Sequence, residues 1–429
     1  MGNLGFVAMD NQVVTHQSGV SRLCNSIICA ICVAPVLVIV AIFVLGWNEQ
    51  RAVCEAKAIA QSSDEVVQVK CNSAAAGDGA LILFSCPLSK TGLTPLAAKN
   101  SDFSDVLSYT GTGLSITAEM YQCVETEHSE TKKDKVGGGT TTVTTYTYSK
   151  EWRNALVNSD SFQKKSSTSF ITNCGVDNPS AWPKGLPENG AQYAPSVEVG
   201  AFTIEGEYVR MVPLNTPVLA SSTPSGWSLN STSTYMSDKW VVGGDSHNIG
   251  RVRVSFKGTD WSSPMVTVLG ENHGGVISRW TASSSWLCSG FSIAKLRTGT
   301  VDKDVFFKDL QAESDAITMI LRIVGFLVLW FAFSRIGGPL GIAADCVPCI
   351  GPALGDSLEA ILCCVSCPPA CSCALGIIGV MWVVMRPAVG IPLILVFLVT
   401  CGASCVIYQR MKNPRSRDFR HDGLATQLA

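Results

Sequence analysis

The residues best equipped for chemistry in this sequence are its 18 cysteines and a few charges set among apolar runs. Cys346-Val347-Pro348-Cys349 and Cys364-Val365-Ser366-Cys367 have the spacing that binds zinc or cycles between thiol and disulfide. Cys363, Cys371 and Cys373 lie beside the second pair, but no histidine accompanies them. Their apolar surroundings leave three readings open: small packing residues, S-palmitoylated thiols next to the membrane, or metal ligands. The five histidines are scattered, and neither HExxH nor GxSxG occurs, so zinc-protease and serine-hydrolase chemistry lacks its residues. Gly137–Gly139 lacks the Lys-Ser/Thr that follows a phosphate-binding glycine loop. No catalytic residue, cofactor or metal is assigned.

The charges are more informative. Arg322 lies inside an apolar run, where a charge at the bilayer centre costs about 2.5–3.5 kcal/mol on insertion scales. It can snorkel to the interface, pack against Asp315, or face the interior of a helix bundle. Glu49 and Arg51 follow the first apolar run at a matching depth, which suggests a juxtamembrane ion cluster or simply interfacial charge. Arg335, at the opposite end of its run, has Asp356 and Glu359 as candidate partners. Trp152 and Arg153 end a β-patterned stretch and read either as a cation–π feature or as a core Trp beside a surface Arg. Cys54, Cys71, Cys86, Cys123, Cys174 and Cys288 are an even set in a polar region, so up to three disulfides are open among fifteen pairings. Asn230-Ser231-Thr232 is the chain's one N-glycosylation sequon.

These residues hang on a membrane framework. Only 15% of the chain is charged and its mean hydropathy is +0.26, against about 25% charged residues in soluble domains. Four segments are long and apolar enough to cross a hydrocarbon core of about 30 Å: 27–47, 316–334, 358–385 and 389–408. With backbone groups satisfied internally, each is expected as a helix. The third is expected to be interrupted by Pro368-Pro369, and Arg386-Pro387 is a tight turn before the fourth. Residues 335–357, rich in Gly and Pro, are expected as a cytosolic or interfacial loop. The tail 409–429 is basic and reads as cytosolic. Four spans then place the arm 1–26 in the cytosol, poorly ordered, and 48–315 in a lumen or outside the cell.

Residues 48–316 hold 23 Lys/Arg against 28 Asp/Glu. They open with a helical piece at Asn48–Gln61 and turn to β pattern. Ile116–Glu127 and Thr140–Trp152 form an expected hairpin whose tip is His128–Gly139. Arg251–Phe256 alternates as a half-buried strand, with Met265–Leu269 as its expected partner. Lys303–Asp315 is an amphipathic helix with Val305, Phe306, Leu310 and Ala312 on one face. The expected fold class is therefore an α+β membrane protein: four transmembrane helices and a large β-rich lumenal domain between the first and second.

Glu119–Glu127 (EMYQCVETE), Tyr146–Trp152 (YTYSKEW) and Arg153 resemble the LUMA, or transmembrane protein 43, family. Asn48–Ala52, Arg253–Phe256, Val266–Val268, Phe306–Leu310, Leu321–Gly325 and Arg386-Pro387 follow in the family's order, so the resemblance runs from about 27 to 410. Residues 155–250 match poorly, and the cysteine-rich 346–373 is no hallmark of it. The resemblance implies a non-enzymatic, four-span scaffold of the endoplasmic reticulum and inner nuclear membrane. Its partners would be membrane lipid, further copies of itself and other nuclear-envelope or reticulum membrane proteins, with no nucleic acid and no cofactor. Two other classes remain: an ion-channel subunit or accessory lined by the Pro-broken third span, and, more remotely, a lipid- or thiol-acting membrane enzyme.

Overall fold

A computed structural model describes residues 10–406, apart from short gaps at 73, 76, 135–137, 243–247, 284–287, 289 and 346–350 and a scatter of positions after 388. The basic tail, with Arg415-Ser416-Arg417, and the Cys346–Cys349 pair lie outside the described residues.

Three helices among the described residues are long and apolar enough to cross a membrane: α1 (Gly19–Glu65), α3 (Lys303–Asp345) and the greater part of α4 (Gly351–Met385); the short α2 (Thr168–Asn173) lies in the polar region between the first two. All three outrun their apolar cores. The helical piece expected at Asn48–Gln61 is a direct continuation of the first span. The expected Gly/Pro loop at 335–357 is a correction: α3 stays helical to Asp345 and α4 begins at Gly351. Each helical glycine costs about 1 kcal/mol. Here the missing side chains let helices approach, since a Cβ on Gly337 would sit 3.1 Å from the Leu362 side chain and one on Gly338 2.9 Å from Ser26 Oγ. Pro368-Pro369 likewise does not interrupt α4. Of the fourth segment, Val389–Tyr408, the described residues Ile391, Leu395 and Val399 are helical and exposed.

The polar region forms, among the described residues, an eight-stranded and a seven-stranded sheet. The first contains β1 (Gln12–Gln17), β3 (Gly113–Lys133), β4 (Thr140–Arg153) and β7 (Val252–Thr259). The second contains β2 (Leu81–Pro87), β5 (Ser196–Val199), β6 (Phe202–Glu205), β8 (Met265–His273) and β9 (Lys295–Thr298). The hairpin β3–β4 holds register from Met120↔Arg153 to Lys133↔Thr140, so most of the expected tip is strand. β7 does not pair with β8, against expectation. It pairs with β3, while β8 pairs with β2 and β9, because Asp260–Pro264 carries the chain from one sheet to the other.

Core position follows from alternation. Ile82, Phe84 and Cys86 of β2 pack with Phe202, Val266 and Val268 inside the domain. Leu81 and Leu83, on the other face of the same strand, pack with Ala58 and Ile59 of α1 and Phe306, Phe307 and Leu310 of α3. A strand buried on both faces reads as a continuous apolar run, hence LILF. The buried face of α3 is Phe306, Phe307, Leu310, Ser314 and Thr318; Val305 is exposed, and so is Ala312, contrary to the sequence reading. The arm 1–26 is also corrected. Residues 12–17 are a strand paired with Thr140–Thr145, and Asp10 accepts hydrogen bonds from the backbone and hydroxyl of Thr168 at 2.6 and 2.8 Å. Those two bonds hold the Asp10 carboxyl below its ordinary pKa.

Candidate functional site

Where the spans leave their apolar cores for the sheet domain, three helices meet through polar side chains. Glu49 of α1 is fully buried. Arg322 of α3 donates to it twice, Nε to Oε1 at 2.6 Å and Nη2 to Oε2 at 2.7 Å. Trp382 of α4 donates its indole N–H to the same carboxylate, and the Arg322 guanidinium lies 5.8 Å from the Trp382 ring centroid. The fork geometry suits a guanidinium and satisfies both carboxylate oxygens. Glu49 thus ties one residue from each of the three described spans.

The seam continues toward the domain. Asn48 donates to the carbonyl of Thr318 at 3.1 Å. Arg51 donates to the Thr318 hydroxyl at 2.9 Å and forms an ion pair with Glu55. Glu55 also accepts from Ser314 Oγ at 2.9 Å. Arg51 Nε is buried without a hydrogen-bond partner. One turn beyond Arg51, Cys54 is disulfide-bonded to Cys288 of the sheet domain. Cys71–Cys86 and Cys123–Cys174 complete the pairing of the six polar-region cysteines. Among the described residues, eight cysteines of the apolar helices, Cys24, Cys29, Cys32, Cys363, Cys364, Cys367, Cys371 and Cys373, are free thiols. No group of three or more metal-ligating side chains occurs among the described residues.

The far end of the bundle has a second cluster. Asp345, buried near the C-terminus of α3, receives Arg22 Nη1 at 3.2 Å and Lys133 Nζ at 3.1 Å. Lys133 also meets Asp356 at 2.6 Å and Glu359 at 3.9 Å. Arg22 reaches the carbonyl of Gly138, 2.5 Å away, so the hairpin end is held by both cations. Burial alone would depress Lys133, but Asp356 and Asp345 outweigh it and hold its pKa above the ordinary lysine value.

The structure joins Glu49 with Arg322, and the alternatives of snorkelling or packing on Asp315 give way to that pair. Arg51 belongs to the same seam through Thr318 rather than through Arg322. Arg335 pairs with neither Asp356 nor Glu359, which Lys133 takes; its guanidinium sits 4.3 Å over the Phe331 ring. Trp152 is half-buried and does carry a cation–π contact, but the cation is Arg253 at 4.5 Å, while Arg153 pairs with Glu151. Arg386 and Pro387 form the connection after α4, with Arg386 N–H on the Trp382 carbonyl at 2.7 Å. Asn230 is exposed in a turn whose Thr232 and Thr234 amides donate to its side-chain oxygen. Trp382, Asn48, Thr318, Arg22, Lys133 and Asp345 escaped the sequence reading. For Trp382 a signal existed: an indole N–H four residues before Arg386 needs a partner in lipid.

These features define a class: an integral membrane protein whose long helices run out of the bilayer into a two-sheet, disulfide-bonded domain. The family model for transmembrane protein 43 matches residues 120–387, and the chain belongs to that family. It is 24% identical to transmembrane protein 43 of Rattus norvegicus and 25% identical to that of Mus musculus. Each alignment spans 282 residues, covering 63% of this chain and 64% of the relative. No solved structure matches the chain.

Proposed function

We propose that this chain is a non-enzymatic scaffold of an endomembrane, self-associating and holding other membrane proteins in place, in the endoplasmic reticulum and inner nuclear membrane. The observation that supports this reading is the junction at Glu49. Three spans, an inter-element disulfide and an apolar contact through Phe306, Phe307 and Leu310 couple the sheet domain to the bundle as one stiff body. A scaffold transmits position, and a stiff junction between bilayer and domain is what that requires. The separation of bonded from free cysteines supports an oxidising compartment for the sheet domain. The fourth span, Val389–Tyr408, and the cytosolic basic tail belong to the same reading. Crosslinking mass spectrometry on the complex isolated from its native membrane tests it. Crosslinks between copies and to other membrane proteins are expected, and recovery as a lone monomer contradicts the reading.

A further inference from the structure

The three spans do not close on one another along their whole length. A cavity of about 760 Å³ lies between them, within the range of about 300–1,000 Å³ that holds small ligands. Its apolar wall is Leu37 of α1, Val324, Leu327, Val328 and Phe331 of α3, and Leu362 of α4. Val324, Leu327 and Phe331 are each about half exposed, so the cavity opens sideways to where hydrocarbon would lie. The polar side chains of the wall are satisfied by α4. The Trp330 indole N–H donates to the Cys363 carbonyl at 2.8 Å, and the Ser334 and Ser366 hydroxyls bond each other at 2.7 Å. With those groups satisfied, the floor fits an apolar occupant rather than water.

One end of the cavity is charged: Arg335, Asp356 and Glu359 line it there. Arg335 is exposed and stacked on Phe331, with no carboxylate at ion-pair distance among the described residues. Stacking on a ring leaves the in-plane N–H fork of a guanidinium able to bind phosphate. The Asp356 and Glu359 carboxylates meet Lys133 but remain 68% and 72% exposed. Depth orders these groups. Leu37 is the midpoint of the apolar run 27–47, and Val324 lies 11 residues before Arg335, about 16 Å along the helix. That is one leaflet, half of a hydrocarbon core of about 30 Å. Glu359 is level with Gly341, where an added Cβ would sit 3.7 Å from it, six residues beyond Arg335.

We infer that this cavity is a site for one phospholipid with a primary ammonium, of the phosphatidylethanolamine type. Its acyl chain fills the space between Val324 and Phe331, its phosphate accepts from Arg335, and its ammonium donates to Asp356 and Glu359. From midplane to surface the cavity runs apolar, cation, carboxylate, which is the order of chain, phosphate and ammonium in such a lipid. Around the mouth, Arg22, Lys133 and Arg335 balance Asp345, Asp356 and Glu359. A zwitterion leaves that balance intact, whereas an anionic lipid would not. A trimethylated ammonium has no N–H to give the carboxylates, so a choline lipid binds less tightly. The site needs only the spans and stands apart from the scaffold reading.

The test uses the full chain in nanodiscs of phosphatidylcholine doped with phosphatidylethanolamine that carries a diazirine at the end of one acyl chain. After illumination, peptide mapping is expected to place the adduct on 324–331 and at Leu37, in excess over the lipid-facing residues Phe43, Ile320 and Val380. Unlabelled phosphatidylethanolamine should displace it, and extra phosphatidylcholine should not. Arg335→Gln, and separately Asp356→Asn with Glu359→Gln, should each lower that labelling about tenfold, the worth of one charge-assisted hydrogen bond. Leu327→Trp, which fills the cavity and leaves every charge in place, should do the same. An intact Cys54–Cys288 bond and unchanged labelling at Ile320 show that each variant is folded in the bilayer. Labelling spread evenly over the lipid-facing residues overturns the site. Equal displacement by phosphatidylcholine, or labelling at 324–331 that survives the charge variants, overturns the ligand assigned to it.

Discussion

The two ends of the helical bundle are built differently. At the domain end, contacts are many and redundant: Glu49 with Arg322 and Trp382, Arg51 with Glu55 and Thr318, a disulfide, and three large apolar side chains. At the far end one buried carboxylate, Asp345, holds two cations from separate parts of the chain. Between them the helices pack through Leu45, Leu329 and Ala370, with Gly325 leaving room for Leu45. The difference teaches which end carries the mechanical connection and which end is a releasable clasp. Losing one contact at the domain end leaves others; losing Asp345 leaves the hairpin end without its shared anchor.

The largest effect is expected at the domain end itself. Arg322→Met leaves the fully buried Glu49 carboxylate without its cation, and a broken buried pair costs about 3–5 kcal/mol. Thermal unfolding in lipid nanodiscs should show the sheet domain and bundle losing stability together. A smaller loss, about 2–4 kcal/mol, is expected for Cys54→Ser combined with Cys288→Ser, because that bond closes a separation of 234 residues. Its signature is faster amide exchange in Trp280–Thr281 and Ser292–Ile293, the strand pair that flanks Cys288, with the helices intact.

At the clasp, Asp345→Asn should cost less stability but act locally. Amide exchange in Gln12–Gln17 and Thr140–Thr145 is expected to rise at least tenfold, while exchange in β2 and β8 stays unchanged. Equal acceleration in all four strands would erase the distinction between the two ends.

The smallest effects are those of pH. The raised pKa of Lys133 means that its ion pairs contribute fully below the ordinary value of 10.5 and are lost only as pH rises through the higher folded value. Glu313 shows the opposite sign. Burial alone would raise it, but Lys295 and then Arg297 hold it below its ordinary 4.5. Its contribution is fully present above 4.5 and fades as pH falls through the depressed value. Exchange measured along α3 should therefore rise first near Glu313 in acid and first near the clasp in strong alkali.

Much of this was legible in the sequence, for identifiable reasons. The apolar spans follow from length and composition alone. The hairpin β3–β4 follows from β-branched and aromatic density, and the Glu49–Arg322 pair from matching depth in two apolar runs. What escaped depends on long-range geometry. A glycine-rich stretch after Arg335 reads as a breaker until the neighbouring helix is seen to fill the space left by its missing side chains. Arg335 loses its expected partners to Lys133, and Arg153 loses the Trp152 ring to Arg253, because local spacing carries no information about side chains 100 or more residues away in the chain. β7 and β8 alternate alike yet belong to different sheets, since periodicity gives a face but not a neighbour. The arm at 12–17 is too short and too polar to announce itself as a strand.

The central claim is that Glu49 and Arg322 act as one unit that fixes the domain to the bundle. A double-mutant cycle over Glu49→Gln and Arg322→Gln, read by unfolding in nanodiscs, tests it most directly. The account predicts that the two changes together cost less than the sum of each alone, with a coupling of about 1.5 kcal/mol or more. Additive costs, with no coupling, would mean that the two side chains are merely neighbours.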